Sequence, residues 1–265
     1  MRPITLSPSG FVVRVQDLPG RGTPLLFVHG LGCASSCDYP RVVGSPALAG
    51  RRALLVDLLG SGFSDKPESF DYSVEAHAGV VAAIVRQLDL RALDLYGHSM
   101  GGSIAIVAAA QLNDRVRSLI LSEPNLDAGG GTFSRAIAAQ SEEDYGRSGH
   151  TETVRSAAAA GNLVWSGSLA VTLPLAAHRG AVSLVRGGAP SWRSTLEQLT
   201  MRRTVLFGVR SLPDDDTARL PRCGVEVALV ADAGHSMAWE NPDGLASAIA
   251  AASSSESPWA ASPAD

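Results

Sequence analysis

Ser99 stands in Gly97-His98-Ser99-Met100-Gly101, a GxSxG pattern whose two glycines flank a hydroxyl at the spacing of a nucleophile elbow. Such a turn bends the backbone sharply and holds the serine oxygen exposed above a sheet. A serine hydroxyl is a poor nucleophile at neutral pH, so the acyl-transfer chemistry it points to needs a base to take the proton and a carboxylate to orient the base. Of the six histidines, His235 is best placed to be that base. It lies in Ala233-Gly234-His235-Ser236-Met237, after the last strand-like run and before a helix opening at Asn241 and Pro242. His98 adjoins the nucleophile with its ring directed away from the bond to be cleaved, and His77 falls in an amphipathic helical stretch. His150 and His178 lie in a separate central segment. These four read as surface or structural groups, with His178 also placed to line a pocket.

The elements that must position these residues follow from periodicity. β-rich runs at Phe11 to Gln16, Pro24 to Val28, Ala53 to Asp57, Leu93 to Tyr96, Val116 to Ser122, Thr204 to Val209 and Val225 to Val230 alternate with helical stretches. Helices are expected at Val74 to Leu88, Gly102 to Leu112 and Pro242 to Ala252, the last with Asn241 as N-cap. Alternation of this kind predicts a mainly parallel sheet covered by helices. The strand before Gly97 and the small-residue helix after Gly101 supply the strand, turn and helix that an elbow requires. Between Leu126 and Met201 there is no strand pattern, only alanine-rich helical stretches broken at Gly161, Pro174 and Gly187. The expected organisation is a core of residues 1–125 and 202–252, a helical cap insertion at 126–201, and a disordered Ser/Ala/Pro-rich tail at 253–265.

Composition narrows the function classes. The net charge of −4 and the scattered basic residues, Lys66 being the sole lysine, exclude a nucleic-acid stripe. No apolar run is long enough to span a bilayer and no leader pattern opens the chain, which predicts a cytoplasmic protein without a membrane partner. Cys33, Cys37 and Cys223 form neither a disulfide framework nor a zinc-ligand spacing, so no metal is expected.

Four segments then carry a family resemblance: Phe27-Val28-His29-Gly30-Leu31-Gly32, the stretch from Asp57 to Pro67, the elbow, and Gly234-His235 with Trp239-Glu240-Asn241-Pro242 behind it. In these, and in their order, the chain resembles the α/β-hydrolase family. The resemblance implies an eight-stranded, mainly parallel sheet flanked by helices, with a helical cap. It also implies an oxyanion hole formed by the backbone N–H groups of Leu31 and Met100, with His29 propping the turn. Where the family commonly places its acid, after Gly208, this chain has Ser211. The candidates for the acid are therefore Glu123, at a second position the family uses after the strand following the nucleophile helix, and Asp214 beyond Pro213; Glu123 is preferred. The implied activity is cofactor-independent hydrolysis of a carboxylic ester or lactone through an acyl-enzyme. Thioester, amide or carbon–carbon bond hydrolysis, a lyase and a binding protein of the same fold are the alternatives. Trp165, His178 and Trp192, with Leu169, Leu173 and Leu175, are the expected lining for a small to medium hydrophobic substrate.

Overall fold

The computed structural model describes residues 1–254. Eight strands, β1 (Arg2–Thr5), β2 (Val12–Leu18), β3 (Arg21–Val28), β4 (Arg51–Asp57), β5 (Leu93–His98), β6 (Val116–Ser122), β7 (Arg202–Gly208) and β8 (Glu226–Val230), form one sheet in the order β1-β2-β4-β3-β5-β6-β7-β8. The pairs β1/β2 and β2/β4 are antiparallel and the remaining five pairs are parallel. β1 left no trace in the sequence periodicity. It has four residues, includes Pro3, and buries only Ile4, and an edge strand tolerates such a sequence because its outer N–H groups need no partner.

Strands buried on both faces explain the continuous apolar runs. In β3, Leu26 and Val28 enter a core shared with α1 (Val74–Gln87) and α2 (Met100–Leu112), while Leu25 and Phe27 enter a second core on the opposite face. That second core also contains Tyr39, Tyr96 and the apolar side of α8 (Pro242–Ala252). Ser73 caps α1 by accepting from the Ala76 N–H, and Asn241 caps α8 by accepting from Gly244.

From β3 the chain runs to β4 on one side and returns to β5 on the other. The loops after β3 and β5 therefore diverge at a topological switch point, where open α/β sheets form their crevice. Leu31 follows β3 and Ser99 follows β5.

Between β6 and β7 the described chain is helical: α3 (Thr132–Ala138), a short turn at Glu142–Asp144, a π-helical turn at Tyr145–Gly149, α4 (His150–Ala159), α5 (Leu163–Ala170), α6 (Pro174–Arg186) and α7 (Trp192–Gln198). This insertion has a small core of its own around Ile137, Tyr145, Leu169, Ala177 and Ala181. It also joins the main core through Ala176, Leu184, Trp192 and Leu196. No single described helix is long and apolar enough to cross a membrane.

The expected tail needs one correction. Ser253 is buried: its Oγ accepts from Arg51 and its carbonyl from Arg117, while the Ser254 carbonyl accepts from Arg202. These arginines gather the chain end beneath β4, β6 and β7. The rest of the tail, 255–265, lies outside the described residues.

One buried contact joins the loop after β3 to the loop that carries His235. Asp38 is 7% exposed and accepts from the Trp239 indole at 3.1 Å. Burial pushes its carboxyl up to about 6, a shift that hydrogen bonds from Trp239 and Cys33 oppose and the nearby Asp57 reinforces. Because the folded value lies above the unfolded value of 3.8, the folded state holds this proton more tightly. Its stabilising contribution is complete below pH 3.8 and is lost as pH rises through about 6. Asp38→Asn cannot ionise, so urea unfolding should show its stability relative to the parent chain improving between pH 4 and pH 7, by on the order of 2–3 kcal/mol. An equal difference at both pH values would refute the assignment.

Candidate active site

Ser99 is the N-cap of α2 and holds φ 54°, ψ −121°, a conformation that costs a non-glycine residue on the order of 1–3 kcal/mol. The turn is held by its surroundings. The Ser99 N–H donates to the Ser122 carbonyl at the end of β6 (3.0 Å), and the Ser99 carbonyl accepts from Gly102 (2.8 Å). A side chain at Gly101 would run into the backbone carbonyls of Val28 and His29, so only glycine lets α2 start this close to β3.

His235 follows β8, and its Nδ1 lies 2.7 Å from Glu123 Oε2. Glu123 follows β6 at φ 40°, a second strained residue, with its N–H bonded to the Leu206 carbonyl of β7 at 3.1 Å. Its other oxygen, Oε1, accepts from the Gly208 N–H at 3.0 Å. Burial alone would raise the Glu123 carboxyl, but hydrogen bonds from His235, Ser211 and Gly208 hold it below the ordinary carboxylate range. Ser211, where the resemblance would lead one to expect an acid, thus helps to hold the Glu123 carboxylate just past the neighbouring strand.

A carboxylate can only accept, so this contact places the proton on His235 Nδ1 and leaves Nε2 as the basic nitrogen. No hydrogen bond joins Ser99 Oγ to His235 among the described residues, and the His235 side chain is 53% exposed, so the site opens to solvent on this side. Asp214 is placed elsewhere. It is exposed, and its carboxylate accepts from the Asp216 N–H in its own turn.

Three contacts that sequence reasoning missed hold the histidine loop. Glu240 accepts from the Gly234 N–H at 2.6 Å, and the Arg210 guanidinium donates to the Asp232 carbonyl at 2.6 Å. The His98 ring packs on His235 with centroids 4.7 Å apart, and its Nε2 donates to the His235 carbonyl at 2.9 Å. Burial, with His235 close by, lowers His98 to about 3, which keeps it a neutral structural group. Only the unexplained Glu240 and the adjacency of His98 to Ser99 offered a signal in the sequence.

Met100 is the first residue of α2, where an N–H has no acceptor one turn back. Leu31 lies in the turn after β3, which His29 braces: its Nε2 accepts from the Leu58 N–H (3.0 Å), so its Nδ1 donates to the Gly30 carbonyl (2.8 Å). Gly180 of α6 lies over both residues, since a Cβ there would be 3.1 Å from Leu31 Cδ1 and 3.2 Å from Met100 Sδ.

Of the expected lining residues, Trp165 reaches this turn, donating its indole N–H to the Leu31 carbonyl at 2.8 Å. Trp192 is 1% exposed, sits in the main core and donates to Glu75, so it serves packing where a pocket wall was expected. His178 is likewise buried in the insertion, bonded through Nε2 to the Gln140 carbonyl and stacked near Tyr145. His77 and His150 are buried as well, not surface groups. Among the described residues there is no group of three or more His, Cys, Asp or Glu side chains that could hold a metal ion.

Comparison with known proteins agrees with this geometry at the level of fold. The chain is 34% identical over 113 residues to a 2-hydroxy-6-oxo-2,4-heptadienoate hydrolase of Pseudomonas putida, covering 42% of this chain and 41% of that protein. It spans less than half the length of the curated relatives it matches first. Among solved structures, an esterase from Exiguobacterium antarcticum superposes with a TM-score of 0.77 at 18% identity, over 93% of this chain and 97% of that one. A mutant of the N-acyl homoserine lactonase AidH, complexed with N-hexanoyl homoserine, gives 0.75 at 21% identity over 94% of each. At such identities the likeness shows the fold. A sequence model described as the alpha/beta hydrolase fold matches residues 23–180, more than half of the chain, and the protein belongs to that family.

Proposed function

We propose that the protein is a serine hydrolase of carboxylic esters or lactones of small to medium hydrophobic acids, with Ser99 as nucleophile, His235 as base and Glu123 as orienting acid. The observation that carries this reading is the 2.7 Å contact between His235 Nδ1 and Glu123 Oε2 beside the strained elbow. His235 Nε2 takes the proton from Ser99 Oγ as the oxygen attacks the substrate carbonyl carbon. The carbonyl π pair moves onto oxygen, where the N–H groups of Leu31 and Met100 receive the negative charge. Collapse breaks the carbon–oxygen bond of the leaving group, which takes the proton from His235. Water then attacks the acyl-enzyme by the same steps, with His235 again accepting the proton, and releases the acid and Ser99. In a lactone the freed hydroxyl stays part of the acyl chain, so the second step releases a single hydroxy acid.

Two features support ester and lactone chemistry over the alternatives: serine at the elbow, and the esterase and lactonase among the structural neighbours. The likeness to a 2-hydroxy-6-oxo-2,4-heptadienoate hydrolase favours carbon–carbon bond hydrolysis as a second reading with the same nucleophile.

A panel of short acyl aryl esters, acyl lactones and vinylogous diketones separates the two by which class is turned over. Ser99→Ala should abolish turnover on the preferred class, and a fluorophosphonate should label Ser99 in the parent chain with protection by substrate. A folded protein that neither labels nor turns over any member would defeat both readings.

The acid assignment has its own test. Glu123→Gln should lower kcat by about 10³–10⁴-fold with the far-UV spectrum unchanged, whereas Asp214→Asn should stay within a few-fold of the parent. The reverse ranking would move the acid to Asp214.

A further inference from the structure

The turn that carries Leu31 is Gly30-Leu31-Gly32, with Gly32 at φ 68°. Within the turn, His29 Nδ1 and the Cys33 N–H hold the Gly30 carbonyl, on the same peptide as the Leu31 N–H, while the next peptide, between Leu31 and the flexible Gly32, has only a long contact from the Cys33 thiol (3.7 Å). An oxyanion donor is effective only when it is aimed before the charge develops.

The structure adds a hold on that second peptide from 134 residues away. Trp165 on α5 donates its indole N–H to the Leu31 carbonyl at 2.8 Å, the one polar contact between α5 and this turn among the described residues. The same helix presses on Gly32, where an added Cβ would lie 3.0 Å from Trp165 Nε1 and 2.8 Å from Leu169 Cδ1. Leu31 and Trp165 both pack against the insertion's own small core. The outer part of the indole stacks on half-exposed Phe133, ring centroids 4.5 Å apart, which fixes the plane of the ring and the direction of its N–H. What the indole adds is a single directed donor on a carbonyl one peptide from the proposed oxyanion donor.

We propose that Trp165 is a positioning residue: its hydrogen bond to the Leu31 carbonyl pins the Gly30-Leu31-Gly32 turn and pre-aims the Leu31 N–H at the oxyanion, so that the helical insertion completes the catalytic machinery of the sheet. The proposal rests on the hydrolase reading above. It differs from an ordinary lining role in a measurable way, because a group that aims an oxyanion donor acts in the transition state and leaves ground-state binding alone.

The test uses Trp165→Phe in the full chain, which keeps an aromatic ring beside Phe133 and removes the donor together with part of the ring's bulk. Trp165→Leu, a good helix former that also lacks the donor, serves as the second variant. With folding verified by far-UV spectrum and melting temperature, both should lose about tenfold in kcat on the best ester or lactone with KM within twofold, the worth of one hydrogen bond. Amide hydrogen exchange, which needs no substrate, should accelerate in residues 30–33 of both variants while β5 is unchanged. A kcat within twofold of the parent, a loss confined to KM, or unchanged exchange at 30–33 would overturn the proposal. Retention of parental turnover by Ser99→Ala would instead defeat the hydrolase reading, and it is seen without reference to Trp165.

Discussion

A carboxylate drawn from water at the end of β6 is the constraint around which this site is built. Glu123 keeps only 12% of its side chain exposed, and a charge so placed is costly unless it is paired and fully hydrogen-bonded. Its partners come from three places: the Gly208 N–H at the end of β7, Ser211 just beyond it, and the ring of His235 after β8. The parallel register of β6, β7 and β8 brings these groups together, since Ser122 lies opposite Leu206 and Gly208 opposite Val230. A slip of one residue in either pairing would turn Glu123 or Gly208 to the other face and strand the charge. The sheet is thus the device that keeps one anion solvated by protein groups and one imidazole in a fixed tautomer.

The same sheet sustains the strain at the elbow. Both Ser99 and Glu123 have positive φ, and both are tied by backbone hydrogen bonds to the next strand over, Ser99 to the Ser122 carbonyl and Glu123 to the Leu206 carbonyl. Each strained residue therefore continues the ladder of its neighbour while its side chain is turned upward out of the sheet. A surrounding framework that over-determines the backbone is the condition under which such conformations persist. The cores on both faces, with Val28, Leu95 and Leu121 on one and Phe27, Tyr96 and Ile120 on the other, provide it.

How much of this could be read from the residues alone depended on the range of the interaction. The elbow was legible because everything it needs, two glycines, a serine, a strand before and a helix after, lies within twenty residues. The asparagine cap before Pro242 and seven of the eight strands were legible for the same reason. For the acid, the residues gave only a preference for Glu123 over Asp214. The spacing put both in loops at the proper edge, and what separates them is that Leu206 and Gly208 offer their backbone to one and that the other is spent on its own turn. Trp165 and Trp192 were indistinguishable as aromatic residues in a helical segment, because their fates depend on contacts with Leu31 and Glu75, more than a hundred residues away. Ser253 read as tail because no local pattern announces that Arg51 and Arg117 will close on it.

Besides the apolar contacts of Ala176, Leu184, Trp192 and Leu196, the insertion is fastened at its base by charge. Arg193 on α7, with a side chain 10% exposed, bridges Asp127, just after β6, and Asp216, just after β7. Burial would lower its basicity, yet the hydrogen bonds to Asp216 and Asp127 hold it above the ordinary arginine value, so the guanidinium remains charged. Asp127 stands at the entry of the inserted segment and Asp216 beyond the carboxyl end of β7, and a buried guanidinium shared between them is hard to replace, because removing it would leave two like charges facing one another in a partly dry site. At the far end the Ser183 hydroxyl of α6 accepts from the Val74 N–H at the start of α1. The Ser183 bond ties α6 to the start of α1, and Gly180 of the same helix lies close against Leu31 and Met100. Exposure in this site is accordingly one-sided: the elbow is covered by the insertion over Leu31 and Met100 and open beside His235.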